Sequence, residues 1–225
     1  MRSNATRQRT RAVTSALLGC GAVAGPIFFG TASTEGAVRP DYHPMRHPVS
    51  SLALGSRGGI QTTNFAVTGL LMLAGALGLS RAAADTARPR SGSAFLAAAG
   101  VGLLGSAAFV TDPVSGYPPG TPDLLTERTT PGLLHDLFGV PTFLGLPAAE
   151  AVYAAAFWRG GRRGWALYSA GSSAAMLAAF GLASAAFAQT PALVKFGGLL
   201  QRVAVGSGFG WLTAVAVDAL RRLPE

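Results

Sequence analysis

Residues 165–188, WALYSAGSSAAMLAAFGLASAAFA, run for 24 positions without a single charged side chain. As a helix this stretch spans about 36 Å at 1.5 Å per residue, more than the hydrocarbon core of a bilayer at about 30 Å. A helix in water keeps a polar face, so one that is apolar all round belongs in lipid or in a very large core. Outward from this stretch lie five more of similar length, 12–33, 60–80, 93–111, 134–157 and 197–219, and the first three also lack charge. A chain of 225 residues cannot bury six such helices in a soluble core. The predicted fold is therefore an all-α integral membrane bundle. One six-helix domain covers 12–219, between a basic N-terminal segment, 1–11, and a short tail, 220–225.

Composition points the same way. Hydrophobic residues make up 49% of the chain and charged residues only 12%, about half the quarter usual in soluble domains. A net charge of +8 in a soluble protein would suggest nucleic acid. Here the arginines punctuate the ends of apolar runs instead of gathering on one surface, so no nucleic-acid partner is expected. Seventeen Arg stand against one Lys, Lys195, in a chain rich in Ala and Gly. That usage fits a GC-rich bacterial genome and hence the bacterial inner membrane. The single cysteine, Cys20, excludes a disulfide within the chain. It stands eight apolar residues into a run that continues through Phe29, which predicts an uncleaved first helix rather than a lipoprotein signal.

Orientation follows from the basic residues. Counting alternate connections, Arg2, Arg7, Arg9, Arg11, Arg81, Arg88, Arg90, Arg159, Arg162, Arg163, Arg221 and Arg222 fall on the side of the N-terminus. Arg39, Arg46, Arg57, Arg128, Lys195 and Arg202 fall on the other. Twelve against six predicts both termini in the cytoplasm. Trp158 and Trp165 flank the Arg162-Arg163 turn, where interfacial aromatics are expected. The outer segments, 34–59 and 112–133, are the long ones. Five prolines interrupt the second, and Thr130-Pro131 reads as N-cap and first-turn proline of the fourth helix. Gly21-xxx-Gly25 and Gly206-xxx-Gly210 have the spacing of close helix contacts.

Ionisable residues in the spans are few: His135, Asp136, Glu150, Arg202 and Asp218. Each costs about 3 kcal/mol or more near the bilayer centre and so calls for a partner or a function. Asp218 has Arg221 and Arg222 beside it. Asp136 and Glu150 are 14 residues apart, close to four full turns, and are expected to share one face of the fourth helix about 21 Å apart. Glu150 reads either as the inner end of a polar seam or as a hydrogen-bonded carboxyl that fixes packing. Arg202 lies roughly 8 Å below the outer end of its helix. At that level Asp112 or Asp136 is its expected partner, and Glu150 is too deep. The candidate outer site is thus Asp112, His135, Asp136 and Arg202, with Gln201 beside the arginine. His43 and His47, with Asp41, lie in the first outer loop within reach of this rim, and two histidines with an acid can bind zinc. The prolines at 44 and 48 spoil a helical His pair, and the spacing matches no metal signature, so no metal or other cofactor is expected.

Several short motifs resemble the family known as domain of unknown function 998. They are Pro40-Asp41-Tyr42-His43-Pro44 with His47-Pro48-Val49-Ser50-Ser51-Leu52, Gln61-Thr62-Thr63-Asn64-Phe65, Phe109-Val110-Thr111-Asp112, Leu134-His135, and Gly198-Leu199-Leu200-Gln201-Arg202. The resemblance covers roughly residues 20–220 and implies a six-helix bacterial membrane protein without an assigned activity. In layout that family is similar to eukaryotic six-helix proteins of the Frag1/DRAM/Sfk1 type, associated with lipid distribution and autophagy. Fold-level likeness of this kind does not carry function.

Two function classes remain open. In one, the outer rim binds a lipid head group or a protein partner, with Arg202 holding an anionic group and Gln201, Asp112 and His135 positioning it. In the other, the protein is a membrane-embedded hydrolase. His135 is then the general base, Asp112 or Asp136 orients it, and Ser50, Ser51 or a metal-bound water is the nucleophile. The chain holds no G-x-S-x-G elbow, phosphate loop or Cys-x-x-Cys pair, which favours the non-enzymatic class. The arginine asymmetry makes a direct prediction. A phosphatase reporter fused within 112–133 is active outside the cytoplasm and one fused after Glu225 is inactive. An active C-terminal fusion overturns the orientation.

Overall fold

The computed structural model describes residues 4–82 and 89–223. Arg2 and Arg88 of the arginine count, and residues 224–225 of the predicted tail, lie outside the described residues. Six helices carry the fold: α1 (Asn4–Val38), α2 (Gly58–Ala82), α3 (Arg90–Ala108), α4 (Thr130–Arg159), α5 (Arg163–Phe187) and α6 (Gly197–Arg221). Among the described residues the only β-type pairing is an isolated bridge between Val114 and Tyr117. All six helices are long and apolar enough to cross a membrane. The chain is a multi-pass membrane protein.

Each helix packs on its neighbours in sequence, and α6 closes the ring against α1. The centre is filled by Phe28, Met72, Leu96, Leu146, Phe209 and Trp211, all essentially inaccessible. Apolar burial does not drive helices together in lipid, so close approach at small residues must do so. Gly21 faces Gly75, where an added Cβ would come within 2.7 Å of the Gly21 backbone. Gly69 meets the Gly100 carbonyl, and Gly145 meets that of Phe95. The predicted Gly21-xxx-Gly25 contact is real, with Gly25 against Phe209. Gly206-xxx-Gly210 is not, because Gly210 faces open space and Gly208 makes the contact to Met176 and Leu146.

The helix ends depart from the predicted spans in informative ways. At 35 residues, α1 is about 52 Å long and extends beyond the hydrocarbon core. It absorbs most of the basic segment 1–11 and runs on to Val38. The extension at the second end has a physical reason. Glu35 and Arg39, four residues apart, form a buried ion pair at 3.1 Å, and Arg57 closes on the same carboxylate at 2.5 Å. The Arg39 guanidinium also donates to the Leu54 and Leu52 carbonyls at 2.8 and 3.0 Å. This clasp ties the end of α1 to the segment entering α2. The N-cap of α4 is Thr129, not Thr130, and its hydroxyl accepts from the Gly132 amide.

With six spans, the start of α1 and the end of α6 lie on one face, here called the terminal face. The segments 39–57 and 109–129 lie on the other, the loop face. At the terminal face Asp218 is held by Arg162 at 3.0 and 2.7 Å and by Arg222 at 3.0 Å. Of the expected neighbours Arg222 closes on it, and the bidentate partner comes from the α4–α5 turn. The Arg162 guanidinium also lies over the Phe157 and Trp165 rings.

The ring predicts an asymmetry among its glycines. Gly75→Val overpacks the α1–α2 contact and destabilises by about 1–3 kcal/mol. Gly210→Val, with nothing within 4 Å of its Cβ, leaves the melting temperature in detergent unchanged. Equal losses in both variants would show that the α1–α2 seam is not closely packed.

Candidate functional site

The ring is not fully packed toward the loop face. A cavity of about 560 Å³ opens there inside the ring, lined from all six helices and roofed by the segments around residues 48–50, 111–114 and 124–128. Its walls are apolar, chiefly Phe28, Phe65, Leu103, Phe143, Phe180 and Phe209. Its rim is polar: Ser50, Asp112, Arg128, His135, Asp136 and Gln201. The size falls within the range of about 300–1,000 Å³ typical of small-molecule sites.

Each rim side chain is placed by a local device. The Nδ1 of His135, near the start of α4, lies 2.8 Å from the Phe109 carbonyl and 3.2 Å from that of Ser106. Both partners are acceptors, so Nδ1 carries a proton and donates to them. Nε2 has no hydrogen-bond partner among the described residues. Asp112 accepts from the Thr129 amide at 3.0 Å and from its hydroxyl at 2.6 Å. The carboxylate thus sits at the N-terminus of α4, where the helix dipole favours negative charge. Asp136 pairs with Arg128. Gln201 accepts from the Val49 amide at 2.8 Å, which joins α6 to the short 3-10 helix Val49–Ala53.

Asp112, His135, Asp136 and Gln201 therefore share one cavity, as their depth along the helices suggested, but Arg202 does not belong to it. Its expected partner was Asp112 or Asp136. It donates instead to the Pro44, His47 and Gly198 carbonyls at 2.6, 3.1 and 3.0 Å and to the Tyr42 hydroxyl at 2.6 Å. Depth fixes a level, not a direction around the helix axis, and Arg202 points toward the first loop. Asp136 and Glu150 do not make one polar seam either. Asp136 is half exposed at the cavity mouth, while Glu150 is wholly buried below it. Neither Glu150 oxygen has a hydrogen-bond partner among the described residues, so the reading as a hydrogen-bonded carboxyl finds no partner.

The serines separate in the same way. Ser50 lines the cavity, whereas the Ser51 hydroxyl is buried away from it without a partner among the described residues. No hydrogen bond joins either serine to His135 among the described residues. His47 has its Nδ1 occupied by the His43 amide at 3.0 Å, and Asp41 is exposed in a left-handed turn at φ 58°. Among the described residues no three His, Cys, Asp or Glu side chains group as metal ligands.

Burial, and then the neighbouring His43 and Arg46 charges, push the His47 pKa down from 6.5 to about 4. Its ring packs on Tyr42 and Tyr117, at centroid distances of 5.5 and 5.1 Å. Tyr117 in turn holds the second loop, which is also tied by the Arg46–Asp123 ion pair at 2.6 Å. Sequence reading missed Arg128 as a rim residue, because a loop arginine counts there only toward orientation. It also missed Glu35, whose helix was ended at residue 33. The i, i+4 spacing of Glu35 and Arg39 was the available signal.

Two outcomes follow. Arg202→Leu leaves the loop carbonyls unpaired and destabilises by at least about 2 kcal/mol. In double-mutant cycles it couples to Tyr42→Phe and adds independently to Asp112→Asn. Coupling to Asp112 instead would restore the acid pairing. For His47 the unfolded chain binds a proton between pH 6.5 and about 4 that the folded protein refuses. Stability from this group is complete above 6.5 and falls as the pH drops through that window. Melting temperatures of wild type and His47→Gln then converge on acidification. Parallel pH profiles would refute the assignment.

The chain belongs to the family described as protein of unknown function DUF998, whose model matches residues 22–218. No curated protein and no solved structure matches it.

Proposed function

We propose that this DUF998 member is a non-enzymatic lipid-binding membrane protein, holding one bilayer lipid with its chain in the cavity and its head group at the rim. The observation that carries this reading is where the cavity opens. Val140 on α4 is 48% exposed on the lipid-facing surface and also lines the cavity. Asp136 above it, Ser184 on α5 and Ala188 at the end of that helix are likewise both exposed and cavity-lining. The opening therefore lies sideways, between the loop-side halves of α4 and α5. Farther down, the stacked rings of Phe143 and Phe180, 4.3 Å apart, close the seam. A lateral slot in a membrane bundle faces acyl chains before it faces water, and the apolar walls match a chain.

The arginine asymmetry assigns the loop face to the outer side, so the bound lipid comes from the outer leaflet. The competing hydrolase lacks a supporting contact, since His135 hydrogen-bonds to backbone carbonyls and to neither serine. Gly139 supplies the test. It lines the cavity, and a Cβ built on it meets nothing within 4 Å, so a larger side chain fills the cavity without forcing the helices apart. Wild type purified in mild detergent retains phospholipid, read by native mass spectrometry. Gly139→Leu loses it while keeping its melting temperature. Undiminished lipid on Gly139→Leu would place the lipid elsewhere.

A further inference from the structure

Resting on that lipid reading, we infer that the rim selects a zwitterionic phospholipid bearing a primary amine, with Arg128 taking the phosphate and Asp136 the ammonium. The charges lining the cavity decide this. They are Asp112, Arg128 and Asp136. Asp112 is already committed to the N-terminus of α4 through two bonds from Thr129. What remains is one guanidinium and one carboxylate, paired with each other and about half exposed, at 50% and 52%. An exposed pair of this kind contributes little stability, so exchanging it for a ligand costs little. A ligand carrying phosphate and ammonium on one short linker replaces both partners at once.

The same inventory rejects the alternatives. An anionic head group would satisfy Arg128 but leave Asp136 unpaired on a rim that already carries a second carboxylate, Asp112. A choline head group has no N–H to donate, and quaternary ammonium is normally held by an aromatic cage, best built from Trp or Tyr. Neither Trp nor Tyr lines the cavity among the described residues. The Phe143 and Phe180 faces are stacked on each other. A primary ammonium has three donors. The Asp136 carboxylate on the rim accepts from it once Arg128 has turned to the phosphate.

Native mass spectrometry of the full-length protein, titrated with dioleoyl phosphatidylethanolamine, phosphatidylglycerol and phosphatidylcholine, tests the inference. Wild type is expected to retain the ethanolamine lipid about tenfold over the other two. Asp136→Asn loses the preference over choline while total retention persists, and Arg128→Gln weakens all three. A second measurement needs no variant: N-methyl and N,N-dimethyl ethanolamine lipids bind wild type progressively less. Equal binding across the methylated series, or glycerol binding as well as ethanolamine, overturns the head-group assignment and leaves the lipid site standing. No retention of any phospholipid by wild type overturns both.

Discussion

The loop face depends on the union of one guanidinium with a cluster of backbone carbonyls. A helix entering the membrane leaves its first amides without internal partners, and they must be satisfied locally. At the start of α6 the Gly198 and Leu199 amides donate to the Arg46 and Met45 carbonyls at 3.1 and 3.0 Å. One turn further, Arg202 reaches back to the Pro44 and His47 carbonyls and to the Tyr42 hydroxyl. Loop 42–48 is thus stitched to α6 from both sides. The approach is so close that a Cβ on Gly198 would collide with the Pro44 and His47 carbonyls, and only glycine fits. From this clamp the rest of the cap follows in order. Tyr42 and His47 are fixed, Tyr117 packs on both, and the segment that roofs the cavity is held in turn.

That chain of dependence explains what could be read in advance. The six helices were legible because lipid imposes one solution on every long apolar run. Depth was legible too, since 1.5 Å per residue places Asp112, His135, Asp136 and Gln201 at one level. Direction around the axis was not. It depends on which neighbour each helix meets, and here small residues such as Gly21, Gly75 and Gly145 set that rotation. Arg202 therefore had the right level and the wrong partner. Asp136 and Glu150 lie on nearly the same face of α4, yet one stands at an open mouth and the other in a closed core. Loop geometry was the least legible. An arginine such as Arg128 acquires its role only when its loop folds back onto α4.

The cavity's position has its own cause in α4. A proline in a helix removes one amide, and the carbonyl four residues earlier loses its donor. Pro141 and Pro147 do this twice within α4. Near the second, the Ser173 hydroxyl of α5 donates to the Pro147 carbonyl at 2.9 Å, and Phe143 stacks on Phe180 just above. These contacts latch the terminal-side half of the α4–α5 seam. Near the first, Thr142 turns the other way and donates to the Ala99 carbonyl of α3 at 3.1 Å. The loop-side half of α4 is thereby bound to α3, and Gly139 leaves its α5 side without a side chain. A seam latched below and released above is a slot with a floor. Such a slot is open to the side while the bundle's centre, with the buried Glu150 in it, stays closed.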